Sequence, residues 1–117
     1  YINTGVLMIN LKDLRGSLDI DKIKEYVNNK EHSLILPDQD IITKFYGDKV
    51  KLINTMIYNL SDRILALYNA MHINDIIGIE WIRENSVIVH YCGTAKPWKG
   101  NYIGVLDVFY YELCNLN

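Results

Sequence analysis

Cysteine is scarce in this 117-residue chain, which has only Cys92 and Cys114. Two unpatterned cysteines cannot make a disulfide framework. They fit a reducing, cytoplasmic compartment in which both thiols are buried. A basic cluster is also missing, and the formal net charge is -2, which excludes non-specific nucleic-acid binding through phosphates. No apolar run approaches the ~20 residues of a membrane span. Repeats, low-complexity tracts and linkers are absent, so the length supports one domain. The first residue is Tyr1 rather than Met, so the absence of a signal peptide carries no information. Hydrophobic residues are plentiful at 50%, which argues against disorder. A chain of this size can bury roughly 65% of its unfolded surface.

The hydrophobic pattern alternates between two periods. Val6 to Asn10 and Val87 to His90 are continuous apolar or β-branched runs, the pattern of strands buried on both faces. Val50 to Ile53 is a shorter strand candidate. Between them, Ile20, Ile23, Tyr26 and Val27 form one helical stripe behind a capping Asp19 or Asp21. A second helix opens at Asp38, carries Ile41, Ile42, Phe45 and Tyr46 on one face, and stops at Gly47. Ser61 caps a segment with Ile64, Leu65, Tyr68 and Met71 at helical spacing. Asn74 to Glu84 fits either period. Leu106, Phe109, Tyr110 and Leu113 give the last segment a helical stripe. Strands alternating with helices predict an α/β class.

The chemistry concentrates where the Val87–His90 run breaks into Tyr91-Cys92-Gly93-Thr94-Ala95-Lys96-Pro97-Trp98. Open α/β sheets bind ligands at the C-terminal ends of their strands. His90 offers an imidazole to a metal, set against the reading of a core histidine bonded at a strand end. Gly93 lets backbone approach an anion without a Cβ in the way. Lys96 is a point charge for phosphate, set against an ordinary surface lysine. Pro97 stiffens the loop and Trp98 anchors it.

This segment resembles the His-x-x-Gly-x-x-Lys-Pro-Trp signature of family-8 glycosyltransferases, which are retaining, nucleotide-sugar-dependent enzymes. Two more segments match in the family's order. Tyr1-Ile2-Asn3-Thr4-Gly5-Val6 is similar to its Phe-Asn-Ser/Ala-Gly-Val strand, and Asp38-Gln39-Asp40 to its Asp-Gln-Asp helix start. The stretch from about Val50 to Asn85 matches only in general pattern. The resemblance implies the C-terminal part of a nucleotide-sugar-binding fold of the GT-A type. Residues 1–117 would then be one incomplete domain, with the upstream nucleotide-binding half absent.

The resemblance also implies roles. His90 would ligate Mn²⁺ together with two aspartates of an upstream Asp-x-Asp motif. Gly93 and Lys96 would face the diphosphate. Asp38 and Gln39 would be the catalytic pair facing sugar and acceptor, with the Gln39 amide stabilising developing oxocarbenium charge. Asn3 would lie beside sugar or acceptor, although an Asn before a Gly is also an ordinary turn former. Asp38 alone reads equally well as a helix N-cap, and Asp40 reads as structural. Asp19-Ile20-Asp21 has the metal-motif spelling but sits at a helix start, where acids are favoured by the dipole.

A zinc site from His72, His90, Cys92 and Cys114 matches no standard spacing. Nothing selects a glycosidase pair from Asp38, Glu80 and Glu112. Tyr91, Tyr102, Tyr110 and Tyr111 read as core-edge rings with wet hydroxyls, or as a surface stacking on sugar.

The implied activity is hexose transfer from a UDP-sugar to a hydroxyl of a carbohydrate or lipid-saccharide acceptor. It would run in the cytoplasm or at the inner face of the membrane, and the isolated piece would be inactive with only a partial Mn²⁺ site. The alternative is a non-catalytic sugar or nucleotide-sugar binding or interaction module. A bare sheet edge would let two copies pair into a homo-oligomer.

Overall fold

The computed structural model describes residues 2–30 and 33–115; Tyr1, the first residue of the Asn3 motif, lies outside them. The chain divides into two compact units, Tyr1–Leu52 and Ile53–Asn117.

The first unit carries α1 (Leu11–Ser17), α2 (Ile20–Lys30), α3 (Pro37–Tyr46) and a 3-10 turn at Gly47–Lys49. Asn10 caps α1, its Oδ1 accepting from the Asp13 N–H at 3.4 Å. Asp19 precedes α2 and accepts from the Lys22 N–H at 3.0 Å. That hydrogen bond, with the Lys22 ammonium, holds its carboxyl below the usual carboxylate range. The stripe of α2 meets α3 where the Tyr26 and Phe45 rings pack edge to face, 5.5 Å apart. No side chain of these helices is fully buried.

The second unit carries α4 (Thr55–Tyr58), α5 (Asp62–Met71), α6 (Ile79–Asn85), a 3-10 turn at Pro97–Lys99, and α7 (Asp107–Asn115). Its core is Leu60, Leu65, Ile77, Ile82 and Leu106, with Met56, Ile64, Tyr68, Val89, Tyr91 and Phe109 packed around it. Burying each such aliphatic side chain contributes about 1.5–3 kcal/mol. Loops are tied to this core by polar side chains. Asn69 exchanges two hydrogen bonds with the Ile77 backbone, at 2.8 and 2.9 Å. Ser86 donates to the Met56 carbonyl at 2.7 Å. Arg83 grips Glu112 with two bonds of 2.7 Å and lies over the Phe109 ring. The guanidinium lowers the Glu112 carboxyl below its ordinary value.

Five expectations change. The α/β class is not what the described residues form: they contain helices, 3-10 turns and one isolated parallel bridge, Leu60 to Val89. A strand exists only as part of a ladder. Val6–Asn10 and Val50–Ile53 find no ladder partner among the described residues, and Leu7, Met8, Ile9 and Leu52 are exposed, Met8 completely. Val87–His90 runs beside residues 57–60, but a single bridge does not make a strand, and Val87 is exposed. Without strands there is no sheet edge among the described residues, so the expected pairing of copies through one finds no support.

Asp38 does not cap α3; Leu36 holds that position. The Asp40 carboxylate instead accepts from the Ile35 and Leu36 N–H groups at 3.1 and 3.2 Å, the structural role expected of it. Gly47 ends α3 in right-handed geometry and starts the 3-10 turn, so no left-handed stop is used. Cys92 and Cys114 are exposed rather than buried, one in the loop after His90 and one in the last turn of α7.

Gly104 is held by close approach. A Cβ there would lie 2.5 Å from the Asp62 carboxylate. That carboxylate accepts from the Tyr102 hydroxyl and from the Val105 N–H at 2.7 Å. Gly104→Ala must push Asp62 off both partners and should cost about 1–3 kcal/mol, the range for overpacking. Urea denaturation of the chain checks this. In an Asp62→Ala background the same substitution should cost nothing more, since its clash is gone; additive losses would refute the contact.

Candidate functional site

Asn3, Thr4 and Gly5 form a tight turn in the first unit. The Asn3 side chain accepts from the Gly5 N–H at 2.8 Å, the Asx turn expected of an Asn at this place. The next residue, Thr4, donates its hydroxyl to the Asp38 carboxylate. This bond brings the Asn3 turn to the first turn of α3, where Asp38 and Gln39 stand. It also lowers the Asp38 carboxyl below its ordinary value. Asp38 is therefore an ionised, exposed acceptor at neutral pH, suited to hydroxyl donors. Gln39 is half-buried beside it. Of the expected sugar-side residues, Asn3 and Asp38 are thus linked through Thr4.

In the second unit His90 is half-buried. Its backbone N–H donates to the Leu60 carbonyl at 2.7 Å, and the Leu60 N–H donates to the Ile88 carbonyl at 3.0 Å. The Val87 and Ile88 N–H groups both reach the Ile57 carbonyl, at 2.7 and 3.1 Å. The extended run is therefore zipped to the last turn of α4 and to Leu60 just beyond it. His90 Nδ1 lies 2.8 Å from Asn59 Oδ1. That oxygen can only accept, so in the neutral ring the proton belongs on Nδ1 and Nε2 is the nitrogen left to act as a ligand.

The loop beyond His90 folds back on itself. Gly93 has φ +82°, a backbone conformation that L side chains rarely adopt. A Cβ there would meet nothing within 4 Å, so the glycine is demanded by conformation rather than by space. The Lys96 ammonium donates to the Tyr91 carbonyl and sits 5.6 Å from the centre of the Trp98 ring. An ammonium has three donors, and this contact does not exhaust them. Pro97, not Trp98, is the deep anchor: Pro97 is buried, whereas Trp98 is 54% exposed. The Tyr111 hydroxyl donates to the Pro97 carbonyl at 3.1 Å.

The tyrosines gather here. Tyr91 packs against Trp98, Tyr102 and Tyr110, with ring centres 5.6 to 6.5 Å apart. Three hydroxyls are bonded rather than wet. Tyr91 donates to the Leu106 carbonyl at 2.9 Å, Tyr102 to Asp62, and Tyr111 to Pro97. Burial raises the Tyr91 phenol above its usual value, and burial together with Asp62 raises Tyr102 further.

A manganese shell needs several oxygen or nitrogen ligands. Among the described residues no three His, Cys, Asp or Glu side chains converge on one point. His90 nevertheless fits as one ligand, because its ring is held through Nδ1. Two positioning residues, Asn59 and Asp62, were not legible in the sequence. Asn59 falls in the loosely matched stretch, and the only local signal for Asp62 was an acid in the first turn of α5.

Residues 1–102 match Glycosyl transferase family 8. General stress protein A of Bacillus subtilis is 27% identical over 103 residues, which cover 86% of this chain and 36% of that protein. Lipopolysaccharide 1,2-glucosyltransferase of Escherichia coli K12 is 26% identical over 105 residues, covering 84% of this chain and 28% of that protein. A putative glycosyltransferase of Haemophilus influenzae is 29% identical over 99 residues, with 84% and 28% covered. The chain thus spans only 28% to 36% of the length of these relatives. With a match that runs through the Asn3, Asp38-Gln39 and His90–Trp98 segments alike, the chain belongs to glycosyltransferase family 8.

Proposed function

We propose that the whole protein is a retaining glycosyltransferase of the cytoplasm. It moves a hexose from a UDP-sugar to a hydroxyl of a carbohydrate or lipid-saccharide acceptor, with Mn²⁺ as cofactor. The observation that carries this reading is the His90 ring, held by Asn59 at the head of the Gly93–Trp98 loop in a family-8 sequence. The Escherichia coli K12 relative, named for lipopolysaccharide glucosyl transfer, supports a hexosyl donor.

The metal would supply charge neutralisation of the departing diphosphate. His90 would hold it through Nε2. Lys96 would pair an ammonium hydrogen with a phosphate oxygen, and the Gly93 turn would present backbone to the same group. Asp38, ionised, would accept from sugar or acceptor hydroxyls, with Asn3 beside it. The Gln39 amide oxygen would face the anomeric carbon as positive charge develops there. An amide is a poor nucleophile, so its role is electrostatic. The acceptor then attacks from the face the diphosphate leaves, and the leaving group takes the acceptor proton, which retains configuration.

The fold of the whole protein would be of the GT-A type. Val6–Ile9 is an apolar run in which Leu7, Met8 and Ile9 are exposed, and it would become a buried strand by pairing with a sheet supplied by the rest of the protein.

Calorimetry tests the donor reading. UDP with Mn²⁺ should bind the whole protein, and bind residues 1–117 far more weakly. No binding to the whole protein would sink the nucleotide-sugar reading and favour a non-catalytic module.

A further inference from the structure

We propose that Asn59 is a positioning residue that fixes the tautomer and direction of the His90 imidazole, and so sets the metal affinity of the site. The inference deepens the proposed function and rests on its metal reading.

Two bonds register His90 against residues 59 and 60. The His90 backbone is pinned to the Leu60 carbonyl at 2.7 Å, and its ring to the Asn59 side chain at 2.8 Å. Asn59 itself has little freedom. It is only 9% exposed. It closes α4, and its N–H donates to the Thr55 carbonyl at 3.0 Å. A buried amide oxygen so held must be satisfied, and His90 satisfies it. The consequence for the ring is chemical. An imidazole without such a partner favours the tautomer with the proton on Nε2, which cannot ligate through that atom. Accepting from Nδ1 reverses the preference and leaves Nε2 as the donor atom toward a metal. Residues that take the second ring proton of a metal-binding histidine typically carry about 10–100-fold in metal affinity or activity.

The test uses the whole protein, labelled with ¹⁵N in histidine, without metal and at about pH 8, where an ordinary imidazole is neutral. Long-range ¹H–¹⁵N spectra report which ring nitrogen of His90 carries the proton. Mn²⁺ affinity is read separately by electron paramagnetic resonance. The wild type should show Nδ1–H. Asn59→Leu should shift His90 toward Nε2–H and weaken Mn²⁺ binding roughly 10–100-fold. Asn59→Asp keeps an acceptor in place and should retain Nδ1–H and bind Mn²⁺ at least as well as the wild type. An unchanged tautomer in Asn59→Leu, or an Asn59→Asp protein as impaired as Asn59→Leu, overturns the positioning role. If the tautomer responds as expected but Mn²⁺ binds His90→Ala as tightly as wild type, the metal reading fails and the control of affinity falls with it.

Discussion

His90→Ala in the whole protein should reduce Mn²⁺-dependent hydrolysis of the UDP-sugar donor by at least about 100-fold in kcat/KM. A ligand bound directly to a metal contributes no less than the residue behind it, and losing the latter already costs up to about 100-fold. That loss corresponds to about 2.7 kcal/mol of transition-state stabilisation. The fold should survive, because the bond from the His90 backbone N–H to the Leu60 carbonyl does not involve the side chain. What the substitution strands is the buried Asn59 amide oxygen, which a water held in the space the imidazole vacates can satisfy. Part of the activity should return at high Mn²⁺, since a weakened site is refilled by mass action. Initial rates across a Mn²⁺ titration, with circular dichroism on the same samples, check this. Unchanged rates at every Mn²⁺ concentration would show that His90 is not a ligand.

Helices α2, α3, α5 and α7 were legible because their causes are local, whereas α1 and α4 left no reading and α6 fell in a stretch that fits either period. Asp19 announces α2, and the Ile41, Ile42, Phe45, Tyr46 face announces α3, all within one or two turns of chain. Strand formation has no such local cause. Val6–Ile9 and Val87–Val89 carry the apolar side chains of strands, but a ladder depends on a partner far along the chain. Of these residues only Val89 finds one among the described residues, Leu60.

The same distinction runs through the site. His90, Gly93 and Lys96 sit at fixed spacing in one loop, so a motif reveals them. Asn59 acts on His90 from 31 positions away, and Asp62 holds the Val105 N–H from 43 away. No periodicity or spacing marks such pairs. The misplaced cap at Asp38 has a related origin. An acid at a helix start reads as a cap until the fold shows its carboxylate taken by Thr4, on a segment 34 positions earlier.

Leu106→Ala should be the most destabilising single truncation in the second unit, at about 2–5 kcal/mol, the range for deleting a buried leucine side chain. Leu106 is completely buried and packs with Leu60 and Ile82, which are 0% and 1% exposed. The core it belongs to is small, so its neighbours can collapse only partly into the vacated space. Leu113→Ala on α7 provides the contrast, because Leu113 is 66% exposed and should change stability by less than about 0.5 kcal/mol. Urea midpoints of the two variants separate loss of the core contact from a general effect of shortening a leucine in this segment, and equal shifts would refute the ranking. The effect should also reach the chemistry. The Leu106 carbonyl takes the Tyr91 hydroxyl, and the Tyr91 carbonyl takes the Lys96 ammonium. These backbone acceptors survive the truncation, but the backbone at residue 106 can then shift into the vacated space and carry the Tyr91 contact, and with it the loop from His90 to Pro97. Leu106→Ala should loosen that loop even in molecules that remain folded, weakening UDP binding by the whole protein. Leu113→Ala should leave it unchanged.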